Sequence, residues 1–193
     1  MKKVRPLIAL CFLTVAAVLA RAAAPVARSM AFHAADAAEA RAWQETLRAK
    51  LFTALKLDAL RHAPESHAVS IVSTRTVEMG GVSLEEIAFH ATPGRAIKVL
   101  VGKPLQGAGP FPAVVCLHGH GGTRATPFDG KNDIYKQFGV ELMRHGFVVV
   151  APDVGQHEVY EAGTTLMGER LWDCIRCVDV AASLPYVDAT RIG

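Results

Sequence analysis

Phe111-Pro112-Ala113-Val114-Val115-Cys116-Leu117-His118-Gly119-His120-Gly121-Gly122 decides how this chain is read. Ala113 to Leu117 is apolar on consecutive residues, the pattern of a strand covered on both faces and so of a parallel sheet. It runs straight into a loop of the form His-Gly-X-Gly-Gly. Glycine lets a backbone approach a ligand closely, because no Cβ stands in the way. A glycine loop leaving the C-terminal end of such a strand offers several N–H groups at the sheet edge where ligands bind. Donors fixed there suit a reaction in which negative charge develops on an oxygen about 3 Å away. His118, Gly119, His120, Gly121 and Gly122 are therefore the first candidate site residues.

The sequence on either side supplies the frame. Downstream, Phe147 to Ala151 is a second short apolar run, and Ile134 to His145 forms a helix with Phe138, Val140 and Leu142 on its apolar side. Gly146 stands where a helix C-terminus takes positive φ. A last helix runs from about Gly168 to Leu184, its apolar side Leu171, Ile175, Val178 and Ala182, its polar side Glu169, Asp173, Arg176 and Asp179. The order strand, helix, strand, helix predicts an α/β fold with right-handed crossovers over residues 112–193. Upstream, Val69 to Glu78 and Val82 to His90 flank Gly80-Gly81, a two-residue hairpin signal, and Arg95 to Val101 alternates as a third strand. Residues 67–102 are thus read as an antiparallel opening. Before it, one helix spans 38–62, with Trp43, Leu47, Leu51 and Leu55 every fourth residue. That stripe reads as a packing face, the alternative being a membrane-surface or partner helix.

Met1-Lys2-Lys3-Val4-Arg5 and the apolar run Leu7 to Ala20 have the form of an export signal over 1–22, with a small-X-small cleavage site at Ala20-Arg21-Ala22. A lipoprotein reading through Cys11 fails on the bulky Leu10 before it and the apolar run beyond it. Residues 23–37 are Ala-rich and read as a flexible lead-in. The formal charge of +3 falls to about zero or slightly negative without the signal, so no basic surface remains to argue for nucleic acid. No stable membrane anchor is expected after cleavage. Cys116, Cys174 and Cys177 remain, an odd count that argues against a disulfide framework. Cys174 and Cys177 have a C-x-x-C spacing, but inside a helix and without a second ligand pair they read as packing thiols.

Taken in order, His118-Gly119-His120-Gly121-Gly122, Gly146-Phe147-Val148-Val149-Val150-Ala151-Pro152-Asp153, Leu171-Trp172-Asp173-Cys174-Ile175-Arg176 and Val187-Asp188-Ala189-Thr190-Arg191-Ile192-Gly193 resemble the α/β-hydrolase superfamily. Within it, they are similar to secreted bacterial esterases of the acetyl xylan esterase and dienelactone hydrolase kind. The resemblance covers roughly residue 40 to the end. It implies a three-layer αβα fold, truncated before strand five and the nucleophile elbow, and hence the N-terminal part of an exported serine carboxylic-ester hydrolase. The implied substrate is a small ester or an acylated carbohydrate, with no cofactor and no metal.

By the same resemblance, the His120 amide is one oxyanion donor, and the amide after the nucleophile is the other. Nucleophile, acid and histidine are expected beyond Gly193, so the 193-residue chain alone is expected to be inactive. Gly81-Val82-Ser83-Leu84-Glu85 ends in Glu within a hairpin, Ser183 lacks flanking glycines, and Cys116 lies in a strand facing the core; none is a nucleophile elbow. Without strand five, Ala113 to Leu117 is expected to be an open apolar edge that promotes aggregation. The alternative is a noncatalytic module, or the product of a decayed gene, binding a partner or dimerising through that edge.

Side chains near the loop have milder readings. His118 is expected to brace the loop rather than move protons. His118-X-His120 resembles a metal pair, but Gly121, Gly122 and Thr123 stand where further ligands belong. Asp153 is read as capping the turn that follows it or as touching substrate, and His157 and Glu158 as solvated residues bordering the mouth.

Overall fold

A computed structural model describes residues 29–62, 68–131 and 135–193. The export signal, its cleavage site and Cys11 lie outside the described residues, as does Ile134 at the start of the expected middle helix. The chain forms two compact units, 1–47 and 48–193.

In the first unit the residues read as lead-in carry contacts. Phe32 packs edge-on against Trp43 with ring centroids 5.0 Å apart, and Trp43 Nε1 donates to the Met30 carbonyl at 3.2 Å. Asp36 Oδ1 accepts from the amides of Ala38 and Glu39, and Glu39 Oε2 accepts from the Ala35 amide, a reciprocal cap that starts helix α1, Ala37–Ala54. No residue of α1 is buried. The single helix expected over 38–62 is in fact two. Lys56, at φ 58°, breaks it before α2, Asp58–His62. The break turns Leu57 inward, where it is fully buried while its amide donates to the Phe52 carbonyl.

The second unit is built on a six-stranded mixed sheet. β1 (Ile71–Met79), β2 (Val82–Thr92) and β3 (Arg95–Gly102) form an antiparallel meander. Gly80 and Gly81, at φ 59° and 78°, make the two-residue turn between the first pair. β4 (Phe111–Val115), β5 (Val148–Pro152) and β6 (Val187–Ile192) follow, with α3 (Phe138–Arg144) between β4 and β5 and α4 (Leu166–Ser183) between β5 and β6. The spatial order is β1-β2-β3-β5-β4-β6; β5 runs antiparallel to β3, and β4 is parallel to both β5 and β6.

Successive residues of the central strand serve opposite faces. Val148 and Val150 join Phe89, Val99, Cys177, Val180 and Ala181 under α4, whereas Val149 and Ala151 join Leu84, Leu100, Phe128, Val140 and Met143 under α3. This double cover is why β5 is apolar at every position.

Two expectations are corrected here. The segment 187–193, read as the turn before a missing strand five, is itself a strand. Its turn-like Asp188-Ala189-Thr190 is a bulge closed by Asp188 Oδ1, which accepts from the Thr190 amide and hydroxyl, and Ile192 then pairs with Ala113. β4 is therefore paired on both sides and is not an open edge. The α4 face assignment is also reversed: Glu169, Trp172, Asp173, Arg176 and Cys177 are buried, while Val178 is 41% exposed. The polar residues go inside because each finds a partner. Asp173 pairs with Arg95, Arg176 with Asp179 and the Ala68 carbonyl, and Trp172 Nε1 donates to the Ala91 carbonyl at 2.8 Å.

Candidate active site

β4 and β5 end side by side, so the loops leaving them share one rim of the sheet. His118 joins those loops. Its Nε2 accepts from the Val154 amide at 3.2 Å, which leaves Nδ1 to carry the proton and donate to the Gly119 carbonyl at 2.9 Å. Both ring nitrogens are thereby committed, in a neutral tautomer. Gly122 must lack a side chain for this packing: a Cβ there would lie 2.8 Å from the His118 Cβ.

Not every glycine-loop amide is available. Gly119 N–H donates to the Tyr135 hydroxyl at 2.7 Å and Gly122 N–H to the Gly119 carbonyl at 3.0 Å. This narrows the expected set of donors. Among the described residues no acceptor takes the amides of His120 or Gly121, so these two remain for a ligand.

Asp153, the residue after β5, does not cap its own following turn. Its Oδ1 accepts from the Arg124 amide at 2.7 Å and its Oδ2 meets Arg124 Nη1, tying the glycine loop to the β5 exit. Arg124 Nη2 lies 2.7 Å from Glu86 of β2, which also binds Arg75 of β1. The Arg75 hydrogen bond lowers the Glu86 carboxyl most, burial pushes back, and Arg124 lowers it further, to about 2. Sequence reasoning named Asp153 but missed Arg124 and Glu86. Neither sits in a motif, and only the strand pairing brings them together.

The loop after Asp153 is moored at its far end. Glu169, 1% exposed, accepts from the amides of Tyr160 and Glu161 and from the Thr164 hydroxyl. Between the two anchored ends His157 faces His120, the rings meeting edge to face with centroids 5.4 Å apart. Those rings, the glycine loop, Gly155 and Arg170 of α4 line a cavity of about 160 Å³. A larger space of about 490 Å³ adjoins it through Gly155, walled by the β3 residues Arg95 to Lys98, by Gln156 and Tyr160, and by Asp153 and Asp173. Functional weight falls on the smaller cavity, because His120 and Gly121, whose amides are uncommitted, line it.

No family model and no curated sequence matches the chain significantly. Solved structures do. A protein of Bacteroides fragilis NCTC 9343, provisionally named an acetyl xylan esterase, superposes with a TM-score of 0.63 at 20% identity over 94% of this chain and 52% of its own. Acetyl xylan esterase from Paenibacillus sp. R4 superposes with a TM-score of 0.52 at 18% identity over 69% of this chain and 48% of its own. This chain has the fold of these esterases. It spans about half the length of each.

Ser83 and the three cysteines of the described residues are poorly placed as nucleophiles. Ser83 pairs with Glu78 inside the first hairpin. Cys116 is buried, and burial pushes its thiol up to about 12. Cys174 is pushed up to about 11 by burial and by the Asp173 charge, and burial raises the fully buried Cys177 well above the ordinary thiol value. Among the described residues no group of three or more His, Cys, Asp or Glu side chains is arranged to hold a metal ion, and no helix is long and apolar enough to cross a membrane.

Proposed function

We propose that the chain is the N-terminal part of an exported serine carboxylic-ester hydrolase of the α/β-hydrolase type. The whole enzyme acts on small esters or acylated carbohydrates, and this chain supplies half of its oxyanion hole. The observation that carries this is the uncommitted His120 amide, on a loop braced from both sides at the C-terminal rim of β4. Ester cleavage through a tetrahedral intermediate places charge on the former carbonyl oxygen. A donor held rigid beforehand stabilises that charge without reorganising as the reaction proceeds.

The course of β6 supports the rest of the reading. Gly193 N–H donates to the Ala113 carbonyl and the Gly193 carbonyl accepts from Val115, so the strand runs beside β4 toward the rim that bears His118. A serine carried a few residues further on would emerge beside the glycine loop, where attack and charge stabilisation meet. The neutral, doubly bonded His118 ring suits bracing and not proton transfer. Export rests on the basic and apolar run over residues 1–22.

Extending the reading frame past codon 193 tests the proposal. A Gly-X-Ser-X-Gly encoded within about ten residues is expected, since such connections are short. The extended protein should hydrolyse p-nitrophenyl acetate and the 193-residue chain should not. Turnover by the 193-residue chain that is lost on altering Gly119 to Gly121 would overturn it. The noncatalytic alternative places a partner or a second copy on an open sheet edge, which in this fold is the outer side of β6 and not β4.

A further inference from the structure

We propose that Arg170 makes the small cavity beside the glycine loop a carboxylate-binding site. Arg170 projects from the second turn of α4 into the space lined by His118, His120, Gly121, Gly155 and His157, and no acidic side chain lines that space. Its guanidinium is only partly used. Nη2 meets the Gln156 carbonyl, while the buried Nε has no hydrogen-bond partner. No carboxylate of the described residues lies within ion-pair distance of Arg170.

Two nearby acids are already engaged, and Glu158, beside His157, is exposed to solvent and does not line the cavity. Glu169, next in the chain, is held by Tyr160, Glu161 and Thr164, and Asp153 by Arg124. Of the guanidinium nitrogens, Nη1 is neither bonded nor buried and is the one that can meet an anion in the cavity. The other walls carry the same sign preference. The amides of His120 and Gly121 are donors without acceptors, and the committed His118 ring offers no free lone pair. Guanidinium and amides together match a planar anion with two oxygens, which takes two parallel N–H bonds. A cavity of about 160 Å³ admits a carboxylate on a small group.

This deepens the esterase reading, on which only the origin of the carboxylate rests. It is either the acid released on hydrolysis or an acidic substituent of the sugar. The site itself requires only Arg170 and the two amides.

The test is a titration of the 15N-labelled 193-residue chain at about pH 8 with sodium acetate, sodium glucuronate and glucose at constant ionic strength set by sodium chloride. Saturable shifts of Arg170 Nε–H and of the His120 and Gly121 amides with one dissociation constant are expected. Arg170→Gln should weaken binding about 10-fold or more, while Arg144→Gln, on the exposed side of α3, should leave it unchanged. Should Arg170→Gln not fold, the Arg170 Nε–H shift of the unaltered chain decides alone. Acetate binding supports the site with the released acid as its source; binding of glucuronate but not acetate supports it with the sugar substituent as source. Equal shifts with chloride or glucose, no shift at Arg170, or binding untouched by Arg170→Gln would overturn it. Acetate binding alongside an inactive extended protein would defeat the esterase reading and leave this one standing, and the converse result would do the reverse.

Discussion

At the scale of single residues, His118 shows how a side chain beside a site can be indispensable without being reactive. Its ring links the β4 loop to Val154, so its loss frees both loops and not one. His118→Ala should cost about 1 kcal/mol of stability, the usual net worth of such hydrogen bonds, read from urea unfolding. His120→Ala keeps the backbone donor and should change stability far less. The glycine loop was legible in the sequence because an amide-presenting turn demands glycines. Which amides are spent internally was not. That depends on Tyr135, which reaches Gly119 from a segment with no motif of its own.

At the scale of elements, α4 is the instructive one. Its hydrophobic periodicity pointed to Leu171, Ile175, Val178 and Ala182 as the buried side, and the helix instead buries Trp172, Asp173, Arg176 and Cys177. Periodicity counts apolar residues and cannot see that Arg95 waits across the interface for Asp173. The same burial makes the C-x-x-C pair inert. In a chain with Cys11 replaced by Ser, a thiol-specific chromogenic reagent at about pH 8 should label none of Cys116, Cys174 or Cys177 until denaturant is added, since thiols react as thiolates. The first hairpin was legible because Gly80-Gly81 needs positive φ. Its environment was not, for a Cβ on Gly80 would stand 2.1 Å from the Phe128 carbonyl oxygen. Gly80→Ala should therefore lower stability by about 1–3 kcal/mol, more than Gly81→Ala, whose Cβ would meet nothing within 4 Å. Thermal melts of the two variants check the difference.

At the scale of the whole second unit, the ion-pair chain Arg75–Glu86–Arg124–Asp153 crosses β1, β2, the glycine loop and the exit of β5. Glu86 is held at about 2 against an ordinary 4.5, mainly by Arg75 and then Arg124, with burial opposing. A lowered folded-state value stabilises the fold above the unfolded-state value and loses that contribution as the pH falls from about 4.5 to about 2. It should amount to on the order of 1–3 kcal/mol. Glu86→Gln should accordingly be destabilised near neutral pH and converge with the parent chain only at about pH 2 and below, as measured by unfolding at several pH values. The alternation of strands and helices was readable from the sequence, but the identity of the last strand was not. The Asp188 bulge imitates a terminating turn.

Glu169 has a consequence for how such a protein diversifies. With Tyr160 to Thr164 pinned to a buried carboxylate, Asp153 clasped by Arg124 and Gln156 held by Arg170, the residues from His157 to Val159 hang like a bridge deck between two piers. Lengthening or rewriting that span would remodel the mouth while the piers stay in place. Selectivity can thus drift quickly on a scaffold that scarcely changes.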